Sequence, residues 1–71
     1  MFRVNQTKLI ELREQGGFKQ HEVARTMDIK VGYLNEMEKG RRDLPMKYLV
    51  KYSAFLSMRP SELVAILEEK R

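Results

Sequence analysis

The amino-acid sequence predicts an all-α fold, a compact five-helix bundle, formed by a single domain over residues 1–71. Apolar residues recur at intervals of three and four, which is the spacing of a helix with one buried face. No segment alternates apolar and polar residues as a half-exposed strand does. No repeat and no linker rich in Gly, Ser or Pro divides the chain, so its length suits one small domain.

Helix 1 is predicted to run from about Asn5 to Gln15. Asn5 is a residue type that favours the N-cap, and Leu9 and Leu12 share the face that would be buried. The pair Gly16-Gly17 follows, and glycine readily adopts the left-handed conformation that ends a helix. The first helix is therefore expected to stop at this pair.

Helices 2 and 3 are predicted from about Lys19 to Met27 and from about Val31 to Lys39, with residues 28–30 as the break between them. Phe18 precedes helix 2 and could pack back on it as a hydrophobic staple. The residues expected to be buried on these two helices are Val23, Ala24, Met27, Leu34 and Met37. Two short helices joined by such a turn form a helix-turn-helix, a shape that fits the major groove of DNA.

Each of the last two helices is predicted to begin at a proline, since proline suits the first turn of a helix. Helix 4 begins at Pro45 and extends to about Leu56, and helix 5 begins at Pro60. The apolar residues available for burial are Tyr48, Leu49, Tyr52 and Phe55 in helix 4 and Leu63, Ile66 and Leu67 in helix 5. Helix 5 leads into a charged tail at residues 68–71.

The composition favours a small binding module over an enzyme. Fourteen Lys and Arg against ten Asp and Glu leave a net charge of +4, which favours an anionic partner. The absence of cysteine and the single histidine, His21, argue against a zinc centre, and His21 has no evident catalytic partner. We therefore predict no enzymatic activity, cofactor, metal or small-molecule substrate. The sequence shows no membrane-spanning run and no secretion signal, so we expect a cytoplasmic protein.

Several spaced motifs together resemble the phage-repressor and Cro type of helix-turn-helix, the Xre family. The motifs are Leu9-x-x-Leu12-Arg13, Gln20-x-Glu22-Val23-Ala24, Leu34-x-x-Met37-Glu38-x-Gly40-x-Arg42, Pro45-x-x-x-Leu49 and Pro60-x-x-Leu63. The resemblance implies a lambda-repressor-like DNA-binding domain in which helix 3 is the recognition helix. It also implies that Gln20 contacts a DNA phosphate and that Arg13 and Glu38 form a structural ion pair.

The positions that read DNA bases in this family correspond to Val31, Gly32, Tyr33 and Glu36. Base reading needs hydrogen-bond donors and acceptors, which Val31 and Gly32 lack, although Val31 could touch a thymine methyl group. Glu36 could accept a hydrogen bond from cytosine, but its charge repels phosphate. Tyr33 could equally be a contact residue or part of the packing. These four residues would contact either bases or a partner protein.

Basic residues surround the helix-turn-helix and are predicted to contact the DNA backbone, the alternative being a solvated basic surface. With Gln20, the predicted backbone contacts are Lys19, Lys30, Lys39, Arg41, Arg42 and Lys47. Lys19, Lys30 and Arg59 also stand where the family usually has Ser or Thr as N-caps, and a lost cap costs about 0.5–2 kcal/mol. An approaching phosphate would relieve the exposed N–H groups at the first two of these positions.

Helix 5 carries more apolar residues than one buried face needs, which suggests a surface for a homodimer. The residues of this predicted dimer surface are Met58, Leu63, Val64, Ile66 and Leu67. The alternative is a last helix that is simply well buried.

Two functional hypotheses follow. The first is a small transcriptional regulator of a phage or bacterial switch that binds double-stranded DNA through helices 2 and 3. The second is an antirepressor or corepressor that uses the same scaffold to bind another repressor protein, which would explain the weak base-reading face.

Overall fold

The computed structural model describes residues 4–68, and these form five α-helices around one core. The helices are α1 (Lys8–Gln15), α2 (Gln20–Met27), α3 (Val31–Glu38), α4 (Met46–Phe55) and α5 (Pro60–Leu67). The predicted all-α fold of five helices is confirmed. Within the described range, β-type pairing is limited to one isolated antiparallel bridge between Val4 and Glu68. Residues 69–71 of the predicted charged tail lie outside it.

The start of α1 differs from the prediction, which placed the N-cap at Asn5. The Asn5 side-chain oxygen accepts hydrogen bonds from the backbone N–H and the hydroxyl of Thr7, so residues 5–7 form a turn. Thr7 occupies the N-cap position without a side-chain bond to the helix. The assignment of Asn5 as the N-cap is therefore wrong, because its side chain is engaged in the turn before the helix begins.

Glycine ends α1 and α3 in the same way. Gly17 and Gly40 both lie in the left-handed region, with φ of 78° and 79°. In α1, the N–H of Phe18 donates to the carbonyl of Arg13 at 3.1 Å, a bond that closes the last turn. The predicted left-handed end of helix 1 is thus present at Gly17.

Glutamates in the first turn compensate for the basic residues at two helix starts. Glu22 accepts the N–H of Lys19 at 2.8 Å, and Glu62 accepts the N–H of Arg59 at 2.9 Å. These carboxylates also oppose the positive end of the helix dipole. The first turn of α3 has no acidic residue, so its N-cap, Lys30, has no such compensation.

The core lies where the five helices meet, with α2 against α3 and α4, α5 against α4, and α1 against α3 and α5. Its buried members are Leu9, Val23, Ala24, Met27, Leu34, Met37, Leu49, Tyr52, Leu63 and Leu67. Phe18 contacts Phe55 edge-on at 4.5 Å between ring centroids, which ties the α1–α2 loop to α4.

Two residues of the predicted dimer surface belong to this core instead. Leu63 and Leu67 are both 0% exposed, so the prediction that they face a partner is wrong. Helical spacing alone could not separate them from their neighbours, because Ile66 shares the same stretch and is 39% exposed. Met58 and Val64 are half-buried and pack against the core.

A polar cluster centred on Glu38 joins four of the helices. The Glu38 carboxylate is fully buried and accepts hydrogen bonds from Arg13 Nε at 2.9 Å and from Gln20 Nε2 at 2.9 Å. The Tyr52 hydroxyl donates to it at 2.6 Å and also lies 3.1 Å from the Leu9 carbonyl oxygen. The ion pair that the family resemblance implied between Arg13 and Glu38 is present. Four hydrogen bonds to one carboxylate, including a second one from Arg13, offset its desolvation.

Burial acts on the two partners of this carboxylate in opposite directions. Burial lowers the pKa of Arg13, but the hydrogen bond and charge of Glu38 outweigh it, so the pKa is raised overall. Burial and the hydrogen bond to Glu38 both raise the pKa of Tyr52 above its ordinary value of 10.0. The folded protein therefore holds Arg13 charged and Tyr52 neutral.

We predict that Arg13→Ala lowers the free energy of unfolding by about 3–5 kcal/mol, because it leaves the Glu38 charge buried without its cation. The matched control is Arg41→Ala, which breaks an exposed ion pair with Glu36 and should change stability by about 0–1 kcal/mol. Urea denaturation of both variants measures the difference. Equal losses in the two variants would contradict a structural role for the buried pair.

We predict that Tyr52→Phe lowers the free energy of unfolding by about 1.5–3 kcal/mol at neutral pH, by removing a hydrogen bond to a charged group. Above the ordinary pKa of 10.0 the unfolded wild-type tyrosine ionises while the folded one stays protonated, so the wild type loses stability there. The advantage of wild type over Tyr52→Phe should therefore shrink as pH rises above this value. Denaturation at pH 7 and at roughly pH 11 tests this, and an unchanged difference would contradict it.

Candidate nucleic-acid interface

Helix α3 has one buried and one exposed face. Leu34 and Met37 are both 0% exposed, so the side that they define faces the core. Gly32, Glu36 and Lys39 follow at intervals of four and three on the opposite side, and we call these three the outer face of α3. Glu36 is half-buried and the other two are exposed. The outer face, together with the exposed Val31 at the start of the helix, is the part of α3 that a macromolecule can reach.

The turn between α2 and α3 holds the two helices at a defined angle. Asp28 adopts the left-handed conformation with φ of 59°, and the N–H of Ile29 donates to the Ala24 carbonyl at 3.0 Å. Lys30 then has an extended backbone and is the N-cap of α3. Ile29 packs against the core, so the turn is anchored as well as short. This is the predicted helix-turn-helix.

Gln20 links the start of α2 to α3. Its side-chain nitrogen donates to Glu38 at 2.9 Å and to Asn35 Oδ1 at 3.2 Å, so both amide hydrogens are used inside the protein. A phosphate needs a hydrogen-bond donor, and in this arrangement the Gln20 side chain can offer one only if it leaves these partners. In this arrangement Gln20 is a structural link between α2 and α3. Its phosphate contact stays a prediction.

Gln6 is a positioning residue that the sequence reasoning missed. Its side-chain nitrogen donates to the carbonyl oxygens of Met37 and Arg42, each at 2.8 Å, across more than thirty residues of sequence. It thereby ties the end of α3 and the following basic loop to the segment before α1. No periodicity or motif marks Gln6, because its role depends on a contact distant in sequence.

The basic loop after α3 is organised by aromatic and acidic neighbours. The Arg42 guanidinium lies 4.8 Å from the ring centroid of Tyr33, and Arg41 Nη1 lies 3.3 Å from Glu36 Oε2. On α4, the ammonium of Lys47 lies 5.0 Å from the ring centroid of Tyr48. Cation–π contacts of this kind restrain a cation without neutralising it. Arg42 and Lys47 therefore remain available to an anion beside α3, whereas the charge of Arg41 is paired with Glu36.

Tyr33 is part of the packing between α3 and α4. It is half-buried, and its ring meets that of Tyr48 edge-on at 5.7 Å. Of the two interpretations left open by the sequence, this contact supports the packing role. It also positions Arg42, which lies over the same ring.

The remaining predicted site residues are exposed at the edges of the helix-turn-helix. Lys19 precedes α2, Lys30 precedes α3, and Lys39 follows α3. Val31, at the first position of α3, is 46% exposed. The basic side chains thus border α3 along its ends and on the adjoining loop.

A shallow open depression lies beside the start of α3. It is lined by Arg25, Asp28, Ile29, Lys30 and Tyr33. Within residues 4–68, no three His, Cys, Asp or Glu side chains come together as metal ligands would. In the same part of the chain, no helix has the length and apolar character needed to cross a bilayer.

The comparison with protein families matches the chain to a helix-turn-helix family model of the Xre, Cro/C1 type over residues 9–63, which is well over half of its length. The match begins at Leu9 in α1 and ends at Leu63 in α5, so it includes the two helices and the turn described above. The comparison with curated proteins found no match. The chain therefore belongs to this helix-turn-helix family of DNA-binding regulators.

Proposed function

We propose that the protein is a small transcriptional regulator of a phage or bacterial switch that binds double-stranded DNA with α3 in the major groove and α2 crossing the backbone. The observation that supports this proposal best is the outer face of α3. None of its three residues, Gly32, Glu36 and Lys39, belongs to the core. Basic side chains lie at both ends of the helix. This is the arrangement that a recognition helix needs.

Most of the proposed affinity comes from phosphate contacts. The proposed phosphate contacts are Lys19, Lys30, Lys39, Arg42 and Lys47, with Gln20 contributing if its amide turns outward. A net charge of +4 favours encounter with DNA at low salt. Because each neutralised phosphate releases counterions, the binding constant should fall steeply as salt rises.

Direct base reading by the first turn of α3 contributes little in this proposal. Val31 offers only an apolar contact to a thymine methyl group, Gly32 has no side chain, and Tyr33 packs against Tyr48. Sequence preference must then depend on the side chains further along the outer face or on the shape of the DNA.

We predict that Arg42→Ala weakens binding to all duplexes alike and reduces the slope of log K against log salt by about one, because one phosphate contact is lost. Arg59→Ala is the matched control, since Arg59 precedes α5, which packs on α1 and α4 and away from α3. Fluorescence anisotropy with several duplexes over a range of salt concentrations measures both. An unchanged slope for Arg42→Ala would contradict the proposed docking.

The second candidate is an antirepressor or corepressor that binds another repressor protein. Val31 supports it, because a β-branched apolar side chain that is 46% exposed at the tip of α3 suits a protein contact better than a groove. The depression lined by Ile29 and Tyr33 lies beside it and provides further apolar surface.

We predict under this second candidate that Val31→Lys abolishes the complex with a partner repressor of the same family while leaving the fold intact, because Val31 lies outside the core. Calorimetric titration with repressor domains of the same family measures the complex. Val31→Lys should instead strengthen DNA binding if the first candidate holds, so the two functions give opposite results.

A homodimer reading two half-sites about one DNA turn apart stays a proposal. After Leu63 and Leu67 are assigned to the core, the apolar surface left on α5 consists of Ile66 with the half-buried Val64. Met46 and Val50 on α4 are 64% and 42% exposed and provide additional apolar surface.

A further inference from the structure

The ion pair between Glu36 and Arg41 lies on the outer face of α3. Arg41 Nη1 is 3.3 Å from Glu36 Oε2, and the two side chains are 63% and 36% exposed. A guanidinium this close to Glu36 is held against the second half of α3, which runs from Val31 to Glu38. With α3 docked in the major groove as proposed above, this guanidinium would lie against the groove-facing side of the helix and not out in the loop.

The backbone after α3 directs Arg41 back toward the helix. Gly40 is left-handed with φ of 79°, and the N–H of Arg41 donates to the Glu36 carbonyl at 2.9 Å. Glu36 thus holds Arg41 twice, through its backbone carbonyl and through its carboxylate. This double contact restricts where the guanidinium can go.

The guanidinium keeps most of its donors. Among the described residues, the side chain of Arg41 donates to Glu36 only, and it does so through Nη1. Nη2 and Nε remain free, and a guanidinium carries five donors in a fixed planar fork. Two adjacent donors in one plane match the N7 and O6 acceptors of guanine in the major groove.

Gly32 leaves open space on the outer face of α3. It lies one turn before Glu36 on the outer face, and a Cβ added to it would meet no atom within 4 Å. Gly32 has helical geometry, so a left-handed backbone does not explain why glycine stands there. A base edge can therefore approach the outer face of α3 at Gly32, one turn before Glu36.

We propose that Arg41 reads a guanine in the major groove and that Glu36 is its positioning residue. This inference rests on the proposed DNA-binding mode and assigns its sequence preference. Glu36 then lowers affinity, because its charge repels phosphate, but it orients the donor fork of Arg41. Specificity comes from the pair, although neither residue lies at the start of the helix.

The first experiment selects binding sites for the wild-type protein from a library of random duplexes. The expected result is one strongly preferred guanine for each bound protein, whether the selected site is single or made of two half-sites. Arg41→Ala should lose roughly 5- to 100-fold of the preference at that position and keep the preferences elsewhere. Lys39→Ala is the matched control, because loss of a phosphate contact weakens all sequences alike.

The second experiment separates orientation from charge at Glu36. Glu36→Gln keeps an oxygen that can accept from Arg41, so it should bind every duplex more tightly and retain the preference for guanine. Glu36→Ala removes both charge and acceptor, so it should bind more tightly and lose that preference. Tighter binding with lower specificity is a result that simple damage to the fold would not produce.

Three outcomes would overturn the inference or its basis. If Arg41→Ala weakens all duplexes equally with an unchanged site preference, Arg41 contacts phosphate only. If Glu36→Ala keeps the guanine preference, Glu36 does not position Arg41. If the wild type selects no sequence at all, the proposed DNA-binding function itself is contradicted. That outcome differs from the first two, which contradict only the roles of Arg41 and Glu36.

Discussion

The buried carboxylate of Glu38 is the group on which the arrangement of the helices depends. A charge with 0% exposure is tolerated only when it is neutralised and hydrogen-bonded, and here the partners come from three other helices. Arg13 brings α1, Gln20 brings α2 and Tyr52 brings α4 to the same carboxylate on α3. Because Gln20 is the first residue of α2, this cluster also sets how the two helices of the helix-turn-helix meet. Apolar packing supplies the driving force for burial, whereas the cluster selects one geometry.

That geometry separates the two demands on a DNA-binding surface. The core and the Glu38 cluster use the inner side of α3, so the outer face lies outside the residues that hold the helices together. The cations around it are restrained by neighbours of two kinds. Tyr33 and Tyr48 hold Arg42 and Lys47 by cation–π contact and leave their charge available, which suits phosphate. Glu36 holds Arg41 by an ion pair that reduces net attraction but fixes an orientation, and orientation is what base reading requires.

Sequence reasoning succeeded where the physical signal is local. Helical spacing of apolar residues, prolines before helices and glycines after them placed all five helices, with Gly17 and Gly40 in the left-handed conformation. It failed at the ends of the fold. Asn5 has the chemistry of an N-cap but forms a turn with Thr7. Leu67 was placed on the predicted dimer surface as well as among the residues available for burial, and its side chain lies in the core. Both errors arise because one pattern of residues permits two environments, and packing decides between them.

The sequence by itself determined the helices, the position of the turn and the sign of the charge around it, since each depends on residues close together in the chain. The family resemblance added the pair of Arg13 and Glu38, which are 25 residues apart. Only the tertiary structure showed that Gln6 fastens the basic loop from 36 residues away, that Tyr33 packs on Tyr48, and that Arg41 returns to Glu36. These contacts depend on how the helices cross and how each side chain turns, and such geometry follows from the packing of the whole core.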